Sequence, residues 1–175
     1  MRSARPSRKP PQSGTGTQHD VILFSVNKTT FAIAASAVDE IRNLDGLTPF
    51  QPSFAARLMK VKHTLVRENK DPDQTYFVVD SAAHLKLKSS TPGRLMVLRG
   101  VKAAVLVDAI DRMTQIAAVH PLPRAFSGDE RDWYRGLAVV EGRVIPVVNE
   151  HSFLSRGEVT VLNAQKQARA HGVGA

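Results

Sequence analysis

Six histidines are the first candidates for metal or acid–base chemistry: His19, His63, His84, His120, His151 and His171. No two of them form H-x-H or H-E-x-x-H, the spacings that bring two imidazoles onto one metal ion. His84 and His151 each follow a strand-like run and read as partly exposed helix positions rather than catalytic bases. Carboxylates cluster at Asp129, Glu130 and Asp132, and again at Asp71 and Asp73. Acid–base catalysis needs two carboxylates converging in a cleft. Asp71-Pro72-Asp73 already has a turn role, because proline fixes φ there. The chain has no cysteine, which excludes a thiolate metal site, a cysteine nucleophile and a disulfide framework. It has no G-x-S-x-G elbow, no phosphate loop and no G-x-G-x-x-G. Trp133 and Tyr134, flanked by Arg131 and Arg135, form the one aromatic–basic cluster. Such a cluster stacks on a nucleic-acid base, anchors the rim of a protein contact, or is a core tryptophan at a strand entry. By elimination the chain reads as non-enzymatic, with no cofactor and no metal.

Those residues must be positioned by a chain of 175 residues, enough for one domain or two small halves with a real core. Hydrophobic residues make up 42% and charged residues 23%, as in soluble globular proteins. No apolar run reaches the length of a membrane span, and no apolar run follows the N-terminal arginines as in a secretory signal. The absence of cysteine fits a reducing cytoplasm. The net charge of +8 is uneven: residues 1–19 hold +4, residues 155–175 hold +2, and the long middle holds only +2. The first 19 residues are rich in Pro, Ser, Gly and Gln. They lack the apolar surface that offsets the entropy of ordering, so they read as a disordered basic tail.

Val21–Val26 and Phe31–Ala35 are apolar, β-rich runs around a polar link, which predicts a hairpin. Ser36 is read as the cap of a short helical turn through Ile41. Leu95–Leu98 and Ala103–Val107 repeat that hairpin, with Asp108 as the next cap. At an offset of 72, Leu23–Ile41 aligns with Leu95–Met113 without a gap. Leu23/Leu95, Ala32/Ala104, Ala37/Ala109 and Asp39/Asp111 are then identical. At an offset of 69, Phe77-Val-Val-Asp80 matches Pro146-Val-Val-Asn149, each ending a strand and entering a short helix, and Leu85 matches Leu154. Further hairpins are predicted from Val61–Arg67 with Thr75–Val79, and from Tyr134–Val140 with Arg143–Val148 around Glu141-Gly142. Pro146 lacks a donor and suits a strand edge or bulge. Glu158–Ala170 reads as a C-terminal helix that packs at its start. The chain is thus an internal duplication with units near 21–88 and 94–155. The fold class is mainly β: two small five-stranded barrels of the SH3-like or OB-like kind, with short connecting helices and strand exchange between the units left open.

Several of these segments resemble the CheW-like domain, the coupling module of bacterial chemotaxis arrays. Leu23-Phe-Ser-Val26, Phe31-Ala-Ile33 and Val38-Asp-Glu-Ile41 are similar to its opening hairpin and V-x-E-I motif. Leu106-Val-Asp108 with Ile110 resembles its L-V-D-x-V step. Arg135-Gly-Leu137 and Gly142-Arg-Val-Ile-Pro-Val-Val-Asn149 resemble its second-half glycine and I-P stretch. The match runs over about 21–155. It implies a tail at 1–19, a CheW-like domain at 20–155, and a C-terminal helix and tail at 156–175. It also implies a non-catalytic cytoplasmic scaffold recruited to membrane-bound receptor arrays, with no dedicated small-molecule ligand. The implied partners are the cytoplasmic tip of a chemoreceptor and the regulatory domain of a CheA-type histidine kinase. A groove between the barrels would offer the receptor helix an apolar floor. The implied contact residues are Val38, Glu40, Ile41, Arg135 and Gly136. One departure stands out. The family's N-L-R-G falls on Lys70–Asp73, its arginine on Pro72, so Arg67 on the neighbouring strand is the candidate substitute. That divergence suggests a specialised system, such as a pilus-linked one. The alternative is a small-barrel nucleic-acid-binding protein using its basic tail.

Overall fold

The computed structural model describes residues 18–50, 58–66 and 75–171, the side chains of 170 and 171 excepted. Arg67, Asp71, Pro72, Asp73 and all but the last two residues of the expected basic tail lie outside the described residues.

The opening hairpin joins β1 (His19–Val26) to β2 (Thr29–Ala34), registered from Val21↔Ala34 to Val26↔Thr29. Its two turn residues, Asn27 and Lys28, both have positive φ (47° and 64°), the geometry that matches the twist of the flanking strands. The expected helical turn from Ser36 through Ile41 does not form. One 3-10 turn at Ala35–Ala37, with no side-chain cap, leads directly into β3 (Val38–Arg42). Asp108 likewise caps no helix. Its Oδ2 accepts from the Asn27 amide at 2.6 Å, and Ala109–Ile116 is β9. In both places a local cap signal loses to long-range pairing, β3 with β7 (Arg94–Leu98) and β9 with β1.

The remaining strands are β4 (Leu47–Pro49), β5 (Val61–Val66), β6 (Thr75–Asp80), β8 (Ala103–Val107), β10 (Tyr134–Val140) and β11 (Arg143–Val148). They build two sheets, ordered β10-β11-β2-β1-β9 and β3-β7-β8-β6-β5-β4. Strand for strand the orders correspond, β9 with β3, β1 with β7, β2 with β8, β11 with β6 and β10 with β5. Each sheet contains the same parallel step, β11 on β2 and β6 on β8. The hairpins are therefore exchanged. The first unit's opening hairpin completes the second unit's sheet, and β7–β8 completes the first unit's sheet. The ladders also revise the gapless alignment. Glu40 faces Val97 while Arg112 faces Leu23, so Leu23 is the counterpart of Val97, two residues on from Leu95.

β4 is a sixth strand beyond the expected five. Its counterpart is a single bridge, His120↔Leu137, with N–H···O distances of 2.7 and 2.8 Å. Both sheets curl. The bridge returns the chain after β9 to β10, at the far side of the same sheet. β3 and β4 lie at opposite ends of the six-stranded sheet, about 24 Å apart if it were flat at ~4.8 Å per strand. The link from Arg42 to Leu47 reaches only ~18 Å, so the sheet must curl.

Each curled sheet has a lining of its own. Val21, Leu23, Ala32, Ala138, Val140, Ile145 and Val147 fill one. Leu65, Val78, Leu95, Val97, Ala104 and Leu106 fill the other. The alternate residues of the same strands, among them Ile22, Phe24, Phe31, Ile33, Phe77, Val79, Met96 and Val105, form the third and largest cluster between the sheets. Burial on both faces explains why these strands read as unbroken apolar runs. The space between barrels is therefore a packed core and not an apolar-floored groove. Pro146 sits on an inner strand, contrary to the edge expectation, and its missing N–H has a visible effect. Its counterpart Phe77 donates to Lys102 O at 2.9 Å. The β6–β8 ladder registers four pairs, the β11–β2 ladder one.

The C-terminal helix forms as expected, as α3 (Arg156–His171). Ser155 and Glu158 make a reciprocal capping box at 3.2 and 2.8 Å. No helix among the described residues is long and apolar enough to cross a membrane.

Candidate protein-binding surface

β3 is an edge strand, and its residues divide by face. Val38 is buried opposite Leu98. Ile41 lies opposite Met96, on the side of the core between the sheets, yet remains 42% exposed. It therefore sits at the rim of that core, where the other barrel no longer covers it. Glu40 is half-buried and pairs with Arg42 at 3.4 Å, while Arg99 reaches Asp39 at 3.6 Å. The equivalent stretch of β9 was missed as a site. Met113 matches Ile41 and is 65% exposed, and Arg112 matches Glu40 with the opposite charge. The signal was present, since the offset of 72 pairs both positions. Each open edge thus offers an exposed aliphatic residue beside a charge, a pattern suited to protein contact rather than to chemistry.

Arg135 and Gly136 have structural work to do. Arg135 Nε donates to Glu150 Oε2 at 3.0 Å and its Nη2 donates to Oε1, so a half-exposed guanidinium grips a carboxylate only 6% exposed. Gly136 lets the chain after β9 approach β10. A Cβ there would stand 2.2 Å from His120 O. Trp133, which ends the short helix α2 (Glu130–Trp133), is 8% exposed. Tyr134 stacks on Phe31 and meets Phe126 edge-on. The aromatic–basic cluster thus offers no open stacking face. Burial, then Glu130, raises the Tyr134 phenol above its usual range.

His84 departs from the expectation of a partly exposed position. It ends the short helix α1 (Ser81–His84), which Asp80 caps at 3.0 and 3.3 Å, and it is 7% exposed. Its ring packs on Phe153 at 4.8 Å and Trp133 at 5.5 Å. Lys60 Nζ lies 3.5 Å from Nδ1 and Ser152 Oγ lies 3.3 Å from Nε2. An ammonium only donates, so Nδ1 accepts and the ring proton sits on Nε2. Ser152 in turn donates to Asn149 O at 2.7 Å. Burial chiefly, helped by the Lys60 cation and opposed by Glu158, pulls the His84 pKa down to about 4. Lys60 also pairs with Glu158 at 2.9 Å. Partial burial pushes the Glu158 carboxyl up, but the Ser155 amide and then the Lys60 amine together hold it below the usual range.

Lys60, His84, Trp133 and Ser152 line a cleft of about 700 Å³ with Met59, Lys86, Asp129, Asp132 and His151. Its walls mix polar and apolar surface; Lys86 Nζ lies 4.0 Å from Asp129 and 5.2 Å from the Trp133 ring, and Lys60 is held by Glu158. Among the described residues no group of three or more His, Asp or Glu is arranged to hold a metal ion.

Comparison with known proteins follows the same lines. Residues 20–158 match the family model of the CheW-like domain. The chain is 27% identical over 143 residues to the chemotaxis protein CheW of Rhizobium meliloti (strain 1021), covering 77% of this chain and 86% of that protein. The crystal structure of the scaffolding protein TtCheW from Thermoanaerobacter tengcongensis superposes with a TM-score of 0.64 at 15% identity, over 79% of this chain and 94% of that one, which shows the shared fold. Twin curled sheets with exchanged hairpins, joined to a family match over residues 20–158, place this chain in the CheW-like domain family.

Proposed function

We propose that the chain is a non-catalytic cytoplasmic adaptor that couples the cytoplasmic tip of a chemoreceptor to the regulatory domain of a CheA-type histidine kinase. The family relationship supports the adaptor role, and the chemotaxis protein among its relatives supports the setting. The observation that carries the reading is the β3 edge. Ile41 extends the core between the sheets to the surface, beside the Glu40–Arg42 pair. An aliphatic anchor supplies affinity there, and the neighbouring carboxylate sets orientation and on-rate. Arg135 and Gly136 act on binding indirectly, by fixing β10. The changed first-unit motif around Pro72 fits a specialised array, such as a pilus-linked one.

The test is direct binding of a receptor-tip fragment and of the kinase's regulatory domain to the full chain by calorimetry. Ile41→Asp should weaken the receptor interaction by about tenfold or more, the scale of a buried anchor. The reading fails if neither partner binds at ~100 μM, a free energy of only ~5.5 kcal/mol.

A further inference from the structure

The two barrels share an outer strand face, and the chain covers it in only one of them. In the first barrel Phe77 pairs with Thr64 and is buried against Phe50, at 5.8 Å between ring centroids. Thr75 is buried too and accepts from Lys166 Nζ of α3 at 2.7 Å, while Val66 opposite it is exposed. The corresponding residues of the second barrel are Pro146, Leu137, Val144 and Val139. Leu137 pairs with Pro146, and Val139 with Val144. The residues between them, Ala138, Val140 and Ile145, line the barrel, so these four point outward. Leu137 and Pro146 are half-buried, whereas Val139 and Val144 are 55% and 64% exposed. Among the described residues, no other two exposed large hydrophobic residues lie opposite each other in a ladder. The first half supplies no counterpart of α3 to cover them. From α1 the chain reaches β7 through residues 85–93, with no helix between.

The two ends of this face carry opposite charge. At the β10–β11 turn Arg112 donates to Glu141 at 2.5 Å. That bond first, and the charge of Arg143 with it, hold the Glu141 carboxyl below the usual range. Two arginines thus outweigh one carboxylate there. The other end is one strand away, about 20 Å at ~3.3 Å per residue. It carries α2, where Asp129, Glu130 and Asp132 outnumber Arg131 and Lys86, and Arg135 is taken up by Glu150. An apolar middle between ends of opposite sign is complementary to itself turned through 180°. In that arrangement Val139 and Val144 of one copy lie on Leu137 and Pro146 of the other, and each turn meets the other copy's α2.

We infer that a second copy of this chain occupies the face, the two β10–β11 surfaces packing antiparallel about a two-fold axis with Arg143 of each copy on Glu130 of the other. Four aliphatic side chains and two charged ends fall short of the ~20–30 residues a side of a standard interface, so the pair is weak and forms at ~0.1–1 mM. The inference does not rest on the adaptor reading, whose anchor, Ile41, belongs to the other barrel's sheet.

Sedimentation equilibrium of the full chain up to ~1 mM tests the pairing, with the apparent mass of the wild type rising toward twice that of one chain. Val144→Asp should weaken association by about tenfold or more, and Ile41→Asp should leave it unchanged. Both side chains are exposed, so native thermal midpoints are expected and checked for each variant. Arg143→Glu and Glu130→Lys should each weaken association several-fold when alone. Mixed in equal amounts they should pair more tightly than either does by itself, because both contacts of the mixed dimer then join opposite charges. A wild type that stays monomeric at ~1 mM overturns the inference. If Val144→Asp then also weakens binding of the kinase's regulatory domain, the face belongs to that partner. Association that survives Val144→Asp, or is lost with Ile41→Asp, overturns the choice of face. A mixture that pairs no better than its parts overturns the two-fold register.

Discussion

The two halves share a backbone and differ in what they hang on it. Asp80 N donates to Lys60 O at 2.6 Å, and in the second half Asn149 N donates to Trp133 O at 2.8 Å. Lys60 and Trp133 are therefore equivalent, as are His84 and Phe153. Both ladders carry a register shift just past these points, between Val61 and His63 and between Tyr134 and Gly136, which makes Lys62 and Arg135 the bulged residues. His84 packs, tilted, against its own counterpart Phe153, so the repeat meets itself in the core. Duplication has kept the main-chain bonds and the apolar positions, Leu85 and Leu154 both being buried. It has released the identity of the side chains at the junction. The first half contributes the polar pair Lys60 and His84, which Glu158 of α3 and Ser152 extend at either end, while the second half contributes aromatic bulk, Trp133 and Phe153.

The largest way to break this asymmetry is to remove the aromatic member. Phe153 is fully buried. Phe153→Ala should lower stability by about 3–5 kcal/mol, read from the urea midpoint, because His84, Trp133 and Leu154 cannot close the space. A loss under ~1 kcal/mol would mean the halves do not depend on this stack.

His84 gives the next effect, and it is pH-dependent. Its pKa falls from 6.5 to about 4 on folding, so the unfolded chain binds the proton more tightly. Stability contributed by the neutral ring is complete above pH 6.5 and is lost as pH falls toward 4. The full loss is about 3 kcal/mol at 1.36 kcal/mol per pKa unit. Denaturant titrations between pH 7 and 4.5 should show that slope. Placing the second half's residue in the first, His84→Phe, should flatten it.

His84 also marks where the sequence was hard to read. Strand runs such as Phe77–Val79 and Ala103–Val107 were plain, because burial on both faces leaves no polar alternation to confuse. The repeat was plain too, at Asp80/Asn149 and Asp39/Asp111. β9 was not, since Asp108 looks like a cap and its use by the Asn27 amide, 81 residues away, is invisible locally. His84 sits in an ordinary-looking SAAH segment, and its burial depends on Phe153 and Trp133 arriving from the other half. Val38, Glu40 and Ile41 could be named from their motif, whereas the structural duties of Arg135 and Gly136 depend on Glu150 and His120.

Gly136 sharpens the comparison because its counterpart is His63, which carries a full side chain. In the second half the His120 carbonyl crosses at the very point a Cβ would occupy. In the first half the matching crossing is made by β4, with Pro49 opposite His63. Gly136→Ala should therefore lower stability by about 1–3 kcal/mol through forced displacement of that carbonyl. His63→Ala should stay within ~1 kcal/mol of wild type. Thermal unfolding of the two variants side by side decides it, and equal costs would mean the crossing segments yield alike.

The smallest difference lies in the two bulged cations. Lys62 holds Asp80 at 2.6 Å from a half-exposed position, and Asp80 keeps its capping bonds to Ala82 and Ala83 without it. Lys62→Ala should then cost about 0.2–1 kcal/mol, in the range of exposed ion pairs. Arg135 grips Glu150 with two donors, and that carboxylate is buried, with the exposed His151 its other charged neighbour among the described residues, at 3.6 Å. Arg135→Ala leaves a buried acceptor short of donors, which should cost about 1.5–3 kcal/mol. Changing Glu150 to Gln in the same chain should recover part of the loss, because an amide is easier to leave unpaired than a charge. If the two alanine variants prove equally mild, solvent reaches Glu150 once Arg135 is gone. The second-half bulge would then be as loosely held as the first, and the asymmetry would be confined to the His84–Phe153 junction.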